Sequence, residues 1–450
     1  MIKLGKLFGT DGVRGIANQK LTPKLCFDIG RAAGFVLTKN QKGKVLVGRD
    51  TRLSGDLVES SLVAGLLSIG LDVDIAGVIP TPGVAYLTRT GEYLCGVSIS
   101  ASHNPFEHNG IKFFSRDGLK LDDSIEDEIE DKILEGTKIY KEIIGAEIGT
   151  ITRSNEFVEK YKDYLKNLTD ERFDDFNISL DIGNGALSNI AVEVLESYGA
   201  NIHVINDKPN GKNINDKCGS TNPDLIQKEV IKNKSDIGMS FDGDADRIIA
   251  VDEKGQIVDG DHILAIAATF LKKQSKLKNN AVVGTIMSNL GLKKYLESIG
   301  VDFIPTKVGD RYILEEMLNS DYVIGAEQSG HVIFLDYNTT GDGLATGIHL
   351  LEIMKKEAKN LSDLNALVTN YPQVLMNAKV RDDLKNKYME FPIIMEKIKS
   401  VEEKYNGNGR VVIRPSGTES LVRVMIEGED IEVLEKDALD LVQLIENKLN

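Results

Sequence analysis

The run Asp242-Gly243-Asp244-Ala245-Asp246-Arg247 sets three carboxylates on alternate residues, directly after the apolar stretch Ile237 to Phe241, and follows them with a guanidinium. In a tight loop at the end of a strand, carboxylates at i, i+2 and i+4 converge on one hard cation. Magnesium suits such a set where a phosphate is also present, because it takes oxygen ligands and needs few carboxylates. Two other readings compete. An EF-hand loop shares these aspartates and finds Glu253 at its twelfth position, but Arg247 occupies the sixth, where the turn requires glycine, and the residues beyond read as a strand. The other is a solvated turn, since aspartate and glycine are common turn formers. A second segment, Ser100-Ala101-Ser102-His103-Asn104-Pro105, offers a hydroxyl in a short polar loop. A serine there is ordinarily a turn former too, but His103 and Asn104 can orient the Ser102 hydroxyl or its phosphoester, and Lys112 can place a cation beside transferring oxygens. His108 is assigned to the surface. Near the C-terminus, Arg414-Pro415-Ser416-Gly417-Thr418-Glu419, followed by Arg423, combines two guanidinium groups, two hydroxyls and backbone amides freed by glycine. That is a phosphate-binding set, because arginine grips phosphate oxygens in bidentate fashion; a hairpin turn with solvated arginines competes. Glu327, Ser329 and His331 supply an acceptor, a hydroxyl and an imidazole suited to sugar hydroxyls or an amino group, with an ordinary polar turn as the rival reading. Together these segments read as phosphoryl-transfer chemistry.

Something must hold these loops. Short Val/Ile-rich runs alternate with amphipathic stretches, the pattern of α/β layers with largely parallel sheets. In the first unit, Lys44 to Gly48, Leu71 to Ala76 and Gly96 to Ile99 read as strands, with Ser54 capping a helix over Asp56 to Ile69 and Ser102 just past the last strand. The second has strands Ile178 to Ile182, Ile202 to Ile205 and Ile237 to Phe241, a helix Leu187 to Tyr198, and a hairpin over Ile248 to Gln256. The third has helices His262 to Lys273 and Leu290 to Ile299, with strands Ala281 to Thr285, Asp302 to Pro305 and Tyr322 to Gly325. From about Tyr371 the pattern becomes strand, long charged helix, two strands around Val411 and Val422, and a final helix Ile431 to Leu449. The expected domains are 1–152, 153–256, 257–368 and a smaller α+β domain 369–450. Loops at the carboxyl ends of such strands are where α/β proteins place ligands.

Bulk properties exclude several classes. At 450 residues the chain exceeds one ordinary core, and roughly three or four domains of about 100–150 residues each are expected. No stretch reaches the roughly 18 uninterrupted apolar residues of a membrane span, so no membrane association is expected. The N-terminus runs into glycine and aspartate rather than an apolar core, and no secretory signal is visible. Cys26, Cys95 and Cys218 are unpaired in spacing, which suits a reducing cytosol and argues against a disulfide framework or a zinc site. A formal net charge of −15 repels nucleic acid over most of the surface, and tryptophan is absent, so no nucleic-acid partner is expected. An anionic ligand then needs its own basic pocket, as at Arg414. The protein is read as cytoplasmic.

Five motifs in order resemble the α-D-phosphohexomutase superfamily over essentially the whole chain: Phe8-Gly9-Thr10-Asp11-Gly12-Val13-Arg14-Gly15, Ile99 to Pro105, Asp242 to Arg247, Gly325-Ala326-Glu327-Gln328-Ser329-Gly330-His331, and Arg414 to Glu419. The resemblance implies four domains around a central cleft, each contributing one loop. It implies that Ser102 carries a phosphoryl group and that Asp242, Asp244 and Asp246 hold magnesium together with one phosphoserine oxygen, making Ser102 a metal ligand. Two departures are visible: Ser420 stands where proline is usual, which removes one fixed backbone angle from the phosphate loop, and Ala326 stands where glycine is common.

The implied reaction passes a phosphoryl group from phosphoserine 102 to a hexose monophosphate and takes the other phosphate of the resulting bisphosphate back onto Ser102. Arg247 and Lys112 would stabilise the charge in transfer, and Arg14, His103 or Lys112 would move the proton. Arg414, Ser416, Gly417, Thr418 and Arg423 would grip the phosphate that is not reacting. The forms Gly9-Thr10-Asp11-Gly12 and Glu327-Gln328-Ser329 resemble the glucosamine branch. The expected substrate is therefore a hexosamine phosphate, glucosamine 6-phosphate and glucosamine 1-phosphate being interconverted for cell-wall precursor synthesis, with glucosamine 1,6-bisphosphate or glucose 1,6-bisphosphate as intermediate or activator and a homodimer as the assembly. The rival within the superfamily is a phosphomannomutase or phosphoglucomutase. From other classes come a haloacid-dehalogenase-type phosphatase, which would leave Ser102 idle and finds Asp246 where it needs threonine, and a sugar-phosphate sensor that never phosphorylates Ser102.

Overall fold

Ile237–Phe241 is buried at every position, as expected of a strand with neighbours on both edges and helices on both faces. In the computed structural model, which describes residues 7–9, 11–39, 41–136, 143–405, 407–416 and 420–450, it lies in a five-stranded mixed sheet, parallel to Asn177–Asp181 and antiparallel to Ile248–Asp252. The first sheet has six strands in the spatial order Val13–Ile16, His108–Ser115, Tyr93–Ile99, Lys44–Arg49, Asp72–Val78 and Ile151–Arg153. Its middle strands run parallel, whereas Tyr93–Ile99 and His108–Ser115 pair antiparallel with Ser98 opposite Lys112. The Ser102 loop thus joins two neighbouring strands. The third sheet, ordered Asp302–Thr306, Ala281–Thr285, Ile324–Ala326 and Val332–Phe334, is also mixed. The fourth is antiparallel, with Leu421–Glu427 between Gln373–Lys379 and Arg410–Pro415.

Local chemistry explains most helix ends. Asp259 caps Gly260–Lys273 by accepting from the N–H groups of Asp261 and His262, and Asp430 caps Ile431–Leu449 in the same way. Ser54 departs from expectation: helix Gly55–Leu67 follows it, but its side chain makes no capping bond and instead accepts from Asn109 Nδ2 at 3.0 Å. The helix expected from Leu187 begins only at Ala191. Residues 186–190 form turns instead, and Ile190, with φ of −126° and ψ of −53°, stands outside the helical region just before the helix. Strand Val332–Phe334, which the sequence pattern leaves unread, closes a hairpin on Ile324–Ala326 and fixes the Glu327 loop between them.

The described chain forms two compact units, one of residues 1–285 with 301–367 and one of residues 286–300 with 368–450. In the second, Val422, Val424 and Ile426 alternate inward to a core shared with Leu434, Leu441 and Ile445 of the last helix. Helix Leu290–Ser298 belongs to this unit: Leu290 N–H donates to Glu427 at 3.0 Å, and the Asn289 side chain both donates to and accepts from the Tyr371 backbone. No helix among the described residues is long and apolar enough to cross a membrane.

Candidate active site

Ser102 adopts a left-handed backbone conformation, with φ of +52°, which costs a non-glycine residue roughly 1–2 kcal/mol. That turn aims its hydroxyl at the aspartate loop, where Ser102 Oγ donates to Asp242 Oδ2 at 2.6 Å across 140 residues of sequence. The close approach depends on Gly243, since a Cβ there would lie 2.8 Å from Ser102 O and 2.6 Å from Ile214 Cδ1. The aspartate loop carries its own left-handed residue, Ala245, and is anchored from the start of helix Thr81–Thr90, where Thr81 Oγ1 donates to Asp244 Oδ2 at 2.7 Å.

Ser102, Asp242, Asp244 and Asp246 are all buried. Lys112 Nζ reaches Asp244 Oδ2 at 2.8 Å, Asp246 Oδ2 at 3.4 Å and Asp11 Oδ2 at 3.1 Å. Burial works against the charge of this lysine, but those three carboxylates win and raise its pKa. Burial and the charges of Asp246 and Asp244 push Asp242 well above the usual carboxylate range. Burial raises Asp246 too, but Lys112, His331 and Arg247 together outweigh it and draw this carboxyl well below the usual range. Like charges packed in one buried cluster thus oppose the ionisation of Asp242.

A metal fits this set. Ligand atoms of the three carboxylates lie within 4.8 Å of one another, and Asp244 Oδ1 and Asp246 Oδ1 are buried with no hydrogen-bond partner among the described residues. Hard oxygen donors with lone pairs left over are what a divalent cation such as magnesium takes.

Around the serine stand the other expected groups. His103 Nδ1 lies 3.3 Å from Ser102 Oγ and 3.3 Å from Arg247 Nη1, so it accepts from the guanidinium. Burial, then Arg247 and Arg14, lower its pKa to about 4, which keeps the ring neutral at pH 7. Arg14 is ion-paired with Asp11 and donates to Ala101 O. Burial opposes its charge, but Asp11 and the loop aspartates raise its pKa. Arg247 is likewise held charged against burial by Asp246 and Asp242.

In the third-sheet hairpin, Glu327 accepts from Gly309 N–H at 3.0 Å, and burial followed by the charge of Asp310 pushes its pKa up. Ser329 is exposed at the turn. His331 is 1% exposed; its Nε2 accepts from Gly341 N–H at 2.9 Å, and Asp246 and Asp310 flank its ring. It backs the aspartate loop, away from the surface. His108, expected at the surface, is half-buried at the start of its strand.

In the second unit, Arg414 and Arg423 face each other as cross-strand partners. Burial and the charge of Arg423 both lower the pKa of Arg414, whose Nε is buried with no hydrogen-bond partner among the described residues. Ser416 is buried and donates its N–H to Leu421 O at 2.8 Å. Gly417 and Thr418 lie outside the described residues.

Sequence reasoning assigned no role to several groups that the structure brings here. Asp11 pairs with Arg14, Lys112 and Lys120, and Lys120 also pairs with Asp310. Asp11 sits inside a quoted motif, so its position was legible and its partners were not. Thr81, Lys120 and Asp310 stand in unremarkable local sequence, and only the fold brings them in.

Four domain families match in order: phosphoglucomutase/phosphomannomutase α/β/α domain I at residues 5–139, domain II at 155–255, domain III at 259–371 and the C-terminal domain at 375–443. The chain belongs to the phosphoglucomutase/phosphomannomutase family. Within it, the chain is 55% identical over 449 residues to a phosphoglucosamine mutase of Alkaliphilus oremlandii, covering 99% of this chain and 100% of that one. The fold matches a Burkholderia thailandensis phosphoglucomutase/phosphomannomutase family protein with a TM-score of 0.83 at 22% identity, over 99% of this chain and 98% of that one. It also matches the Aspergillus fumigatus N-acetylphosphoglucosamine mutase, solved in complex with GlcNAc-6P and magnesium, with a TM-score of 0.66 at 16% identity, over 99% and 96% of the two chains.

Proposed function

We propose that the protein is a phosphoglucosamine mutase, an isomerase that interconverts glucosamine 6-phosphate and glucosamine 1-phosphate for cell-wall precursor synthesis. The observation that carries this reading is the Ser102 hydroxyl, held 2.6 Å from a buried aspartate of a three-carboxylate cluster. Full-length similarity to a phosphoglucosamine mutase supports the choice of substrate over mannose or glucose phosphate.

In this reading, phosphoserine 102 gives its phosphoryl group to the free hydroxyl of the sugar phosphate. The bond from phosphorus to Ser102 Oγ breaks, a bond to the sugar oxygen forms, and the hydroxyl proton passes to a base. The bisphosphate, glucosamine 1,6-bisphosphate, turns over and returns its other phosphoryl group to Ser102, so the enzyme ends as it began. Glucose 1,6-bisphosphate would serve equally to load the serine. Asp242, Asp244 and Asp246, with an oxygen of phosphoserine 102, would hold magnesium, which when bound offsets charge on the group in transfer. Lys112 and Arg247, both kept protonated by the aspartates, act as fixed positive charges. Of the three groups proposed to move the proton, Arg14 and Lys112 are held charged, and His103 is the neutral acceptor. Glu327 and Ser329 would meet sugar hydroxyls or the amino group, with His331 behind them. Arg414, Ser416, Gly417, Thr418 and Arg423 would bind the distal phosphate. The reading carries with it a cytoplasmic homodimer, whose mass in solution is measurable by light scattering.

Intact-protein mass spectrometry, with turnover assays on glucosamine, glucose and mannose phosphates, tests it. The native protein is expected to carry one phosphoryl group that Ser102→Ala lacks, and the substitution is expected to lower turnover by about 10⁴-fold or more, as loss of a nucleophile does. Unphosphorylated protein with unchanged turnover in the variant would end the mutase reading. Faster turnover of glucose or mannose phosphate would move it to the phosphoglucomutase or phosphomannomutase branch.

A further inference from the structure

Arg52 is 1% exposed and among the largest fully buried side chains in the protein, yet it touches none of the groups discussed so far except through backbone. A guanidinium has five N–H donors in a fixed plane, and all five are used here. Nε donates to Asp50 Oδ2 at 2.9 Å. One Nη2 hydrogen goes to Ser102 O and the other to Asn104 O, each at 2.8 Å. Nη1 donates to His108 O at 3.1 Å and to Pro105 O. Four of the five acceptors are thus carbonyls of the serine loop, spread from residue 102 to residue 108.

The fifth acceptor closes a ring. Asp50 Oδ2 also accepts from Ser100 Oγ at 2.6 Å, and Ser100 Oγ accepts from Ser102 N–H at 2.8 Å. Both backbone polar groups of Ser102 are therefore tied, directly or through Ser100, to the Asp50–Arg52 pair. A second clamp reaches over from residues beyond the second sheet's first strands, where Asn215 Nδ2 donates to Ser102 O at 2.8 Å and to Asn104 O at 3.3 Å. The segment bearing Arg52 is itself docked there, through Thr51 Oγ1 to Asn184 O at 2.6 Å and Leu53 N–H to Gly211 O at 2.8 Å.

We propose that Arg52, seconded by Asn215, is the positioning residue of the phosphoryl-carrying serine: it holds residue 102 in its left-handed conformation and so keeps Oγ on the aspartate cluster. The proposal rests on the mutase reading and deepens it. Residue 102 has no intrinsic reason to be left-handed, because serine avoids that region. With the guanidinium gone, four carbonyls lose a donor, Asp50 loses its counter-charge, and the loop relaxes toward a right-handed turn with the hydroxyl displaced. Lysine is not a substitute, since three donors around a point charge do not span carbonyls from 102 to 108. Arg52 contacts neither substrate nor the transferring group, so binding of sugar phosphate is left nearly intact while transfer fails.

The test compares wild type, Arg52→Lys and Asn215→Asp, each assayed well below its own melting temperature. Asn215→Asp keeps the side-chain shape and turns its donor into an acceptor. For Arg52→Lys, kcat is expected to fall about 100-fold with KM within about threefold of wild type, the size of effect that a displacement near 1 Å produces. Phosphorylation of Ser102 by glucose 1,6-bisphosphate, followed by intact mass, is expected to slow by a similar factor. Asn215→Asp is expected to lose about tenfold in both, as one of two clamps is removed. Hydrogen–deuterium exchange across residues 100–108 is expected to rise in both variants and to remain local. Wild-type kcat in Arg52→Lys, or a loss that follows only its folded fraction, overturns the proposal. If Arg52→Lys does not fold, wild-type kcat and wild-type exchange in Asn215→Asp overturn it instead. The two failures are separable, because wild-type protein without phosphoserine or turnover defeats the mutase reading, whereas exchange in the loop reports the clamp whatever the activity.

Discussion

The aspartate loop of the first unit and the arginine pair of the second are both places where like charges are forced together, and they manage the conflict differently. At the loop, Lys112 sits among the carboxylates, Ser102 and Thr81 donate to them, and Gly243 lets the serine loop close over them. Every part is buried and fixed by groups from distant segments. At Arg414 and Arg423, a cross-strand like-charge pair stands on a three-stranded sheet, and burial and the neighbouring charge both act against Arg414. Such a pair costs stability. The lesson is one of division of labour. In the proposed mutase the acidic site would hold a reacting phosphoryl group in one geometry, and its counter-charge, Lys112, is built in. The basic site would take the distal phosphate in either orientation of the sugar, and the phosphate would supply negative charge beside Arg414.

The comparison breaks most readily at the acidic site. Asp244→Asn keeps the shape and removes a charge, and kcat is expected to fall about 10²–10³-fold, with an apparent magnesium requirement shifted upward in a titration of activity. Chelation of the wild type is expected to abolish turnover in a manner reversed by magnesium; activity indifferent to both would mean that the cluster is only structural. Gly243→Ala tests the built-in geometry without touching a charge. Its Cβ must displace Ser102 O or Ile214, and a loss near 10²-fold in kcat with about 1–3 kcal/mol of stability in urea unfolding is expected.

At the basic site the expected signature is inverted. Arg414→Gln is expected to raise KM about 10- to 100-fold, the loss of a charged hydrogen bond to phosphate of about 1.5–3 kcal/mol, while stabilising the ligand-free protein by about 0.2–1 kcal/mol through relief of the cross-strand repulsion. Calorimetric melts with and without inorganic phosphate measure both, and a destabilised apo variant would erase the contrast with the acidic site. The smallest effect is on pH. Asp437 accepts from Lys404 at 2.7 Å and Tyr405 at 2.6 Å, joining the two helices that back the arginine strands. Burial pushes its carboxyl up, but those two partners outweigh burial and hold it below the usual range. A depressed carboxylate adds stability that is present above its unfolded value near about 3.9 and lost as pH falls through the lower folded value. Unfolding of the second unit between pH 5 and pH 2 is therefore expected to lose less stability in Asp437→Asn than in wild type, and parallel curves would show that the helix tie carries nothing.

Much of this was legible beforehand. Ile237–Phe241, Ala281–Thr285 and Ile431–Leu449 coincide with their sequence readings, because apolar run, polar boundary and cap are local features. Ser102 and the three aspartates were legible for the same reason. Other features were not. Leu187 has a helical pattern, yet the helix starts only after Ile190, whose backbone at φ −126° and ψ −53° is not helical. Ser54 resembles a cap, yet its hydroxyl is engaged by Asn109. Arg52 drew no reading from the sequence, and in the fold every one of its guanidinium donors is occupied.

The sequence by itself determined the chemical inventory: alternate carboxylates for a hard cation, a loop hydroxyl, paired arginines for phosphate, and the order of α/β segments that carries them. Only the tertiary structure decided which of these meet, seating Lys112 on an aspartate 132 residues away and binding the carbonyl of Ser102 from two separate segments. The physical reason is range. Spacing along a chain fixes which groups share a turn or a face, whereas encounters between turns depend on strand register, on glycines that let backbones touch, and on buried donors that leave one loop conformation satisfied.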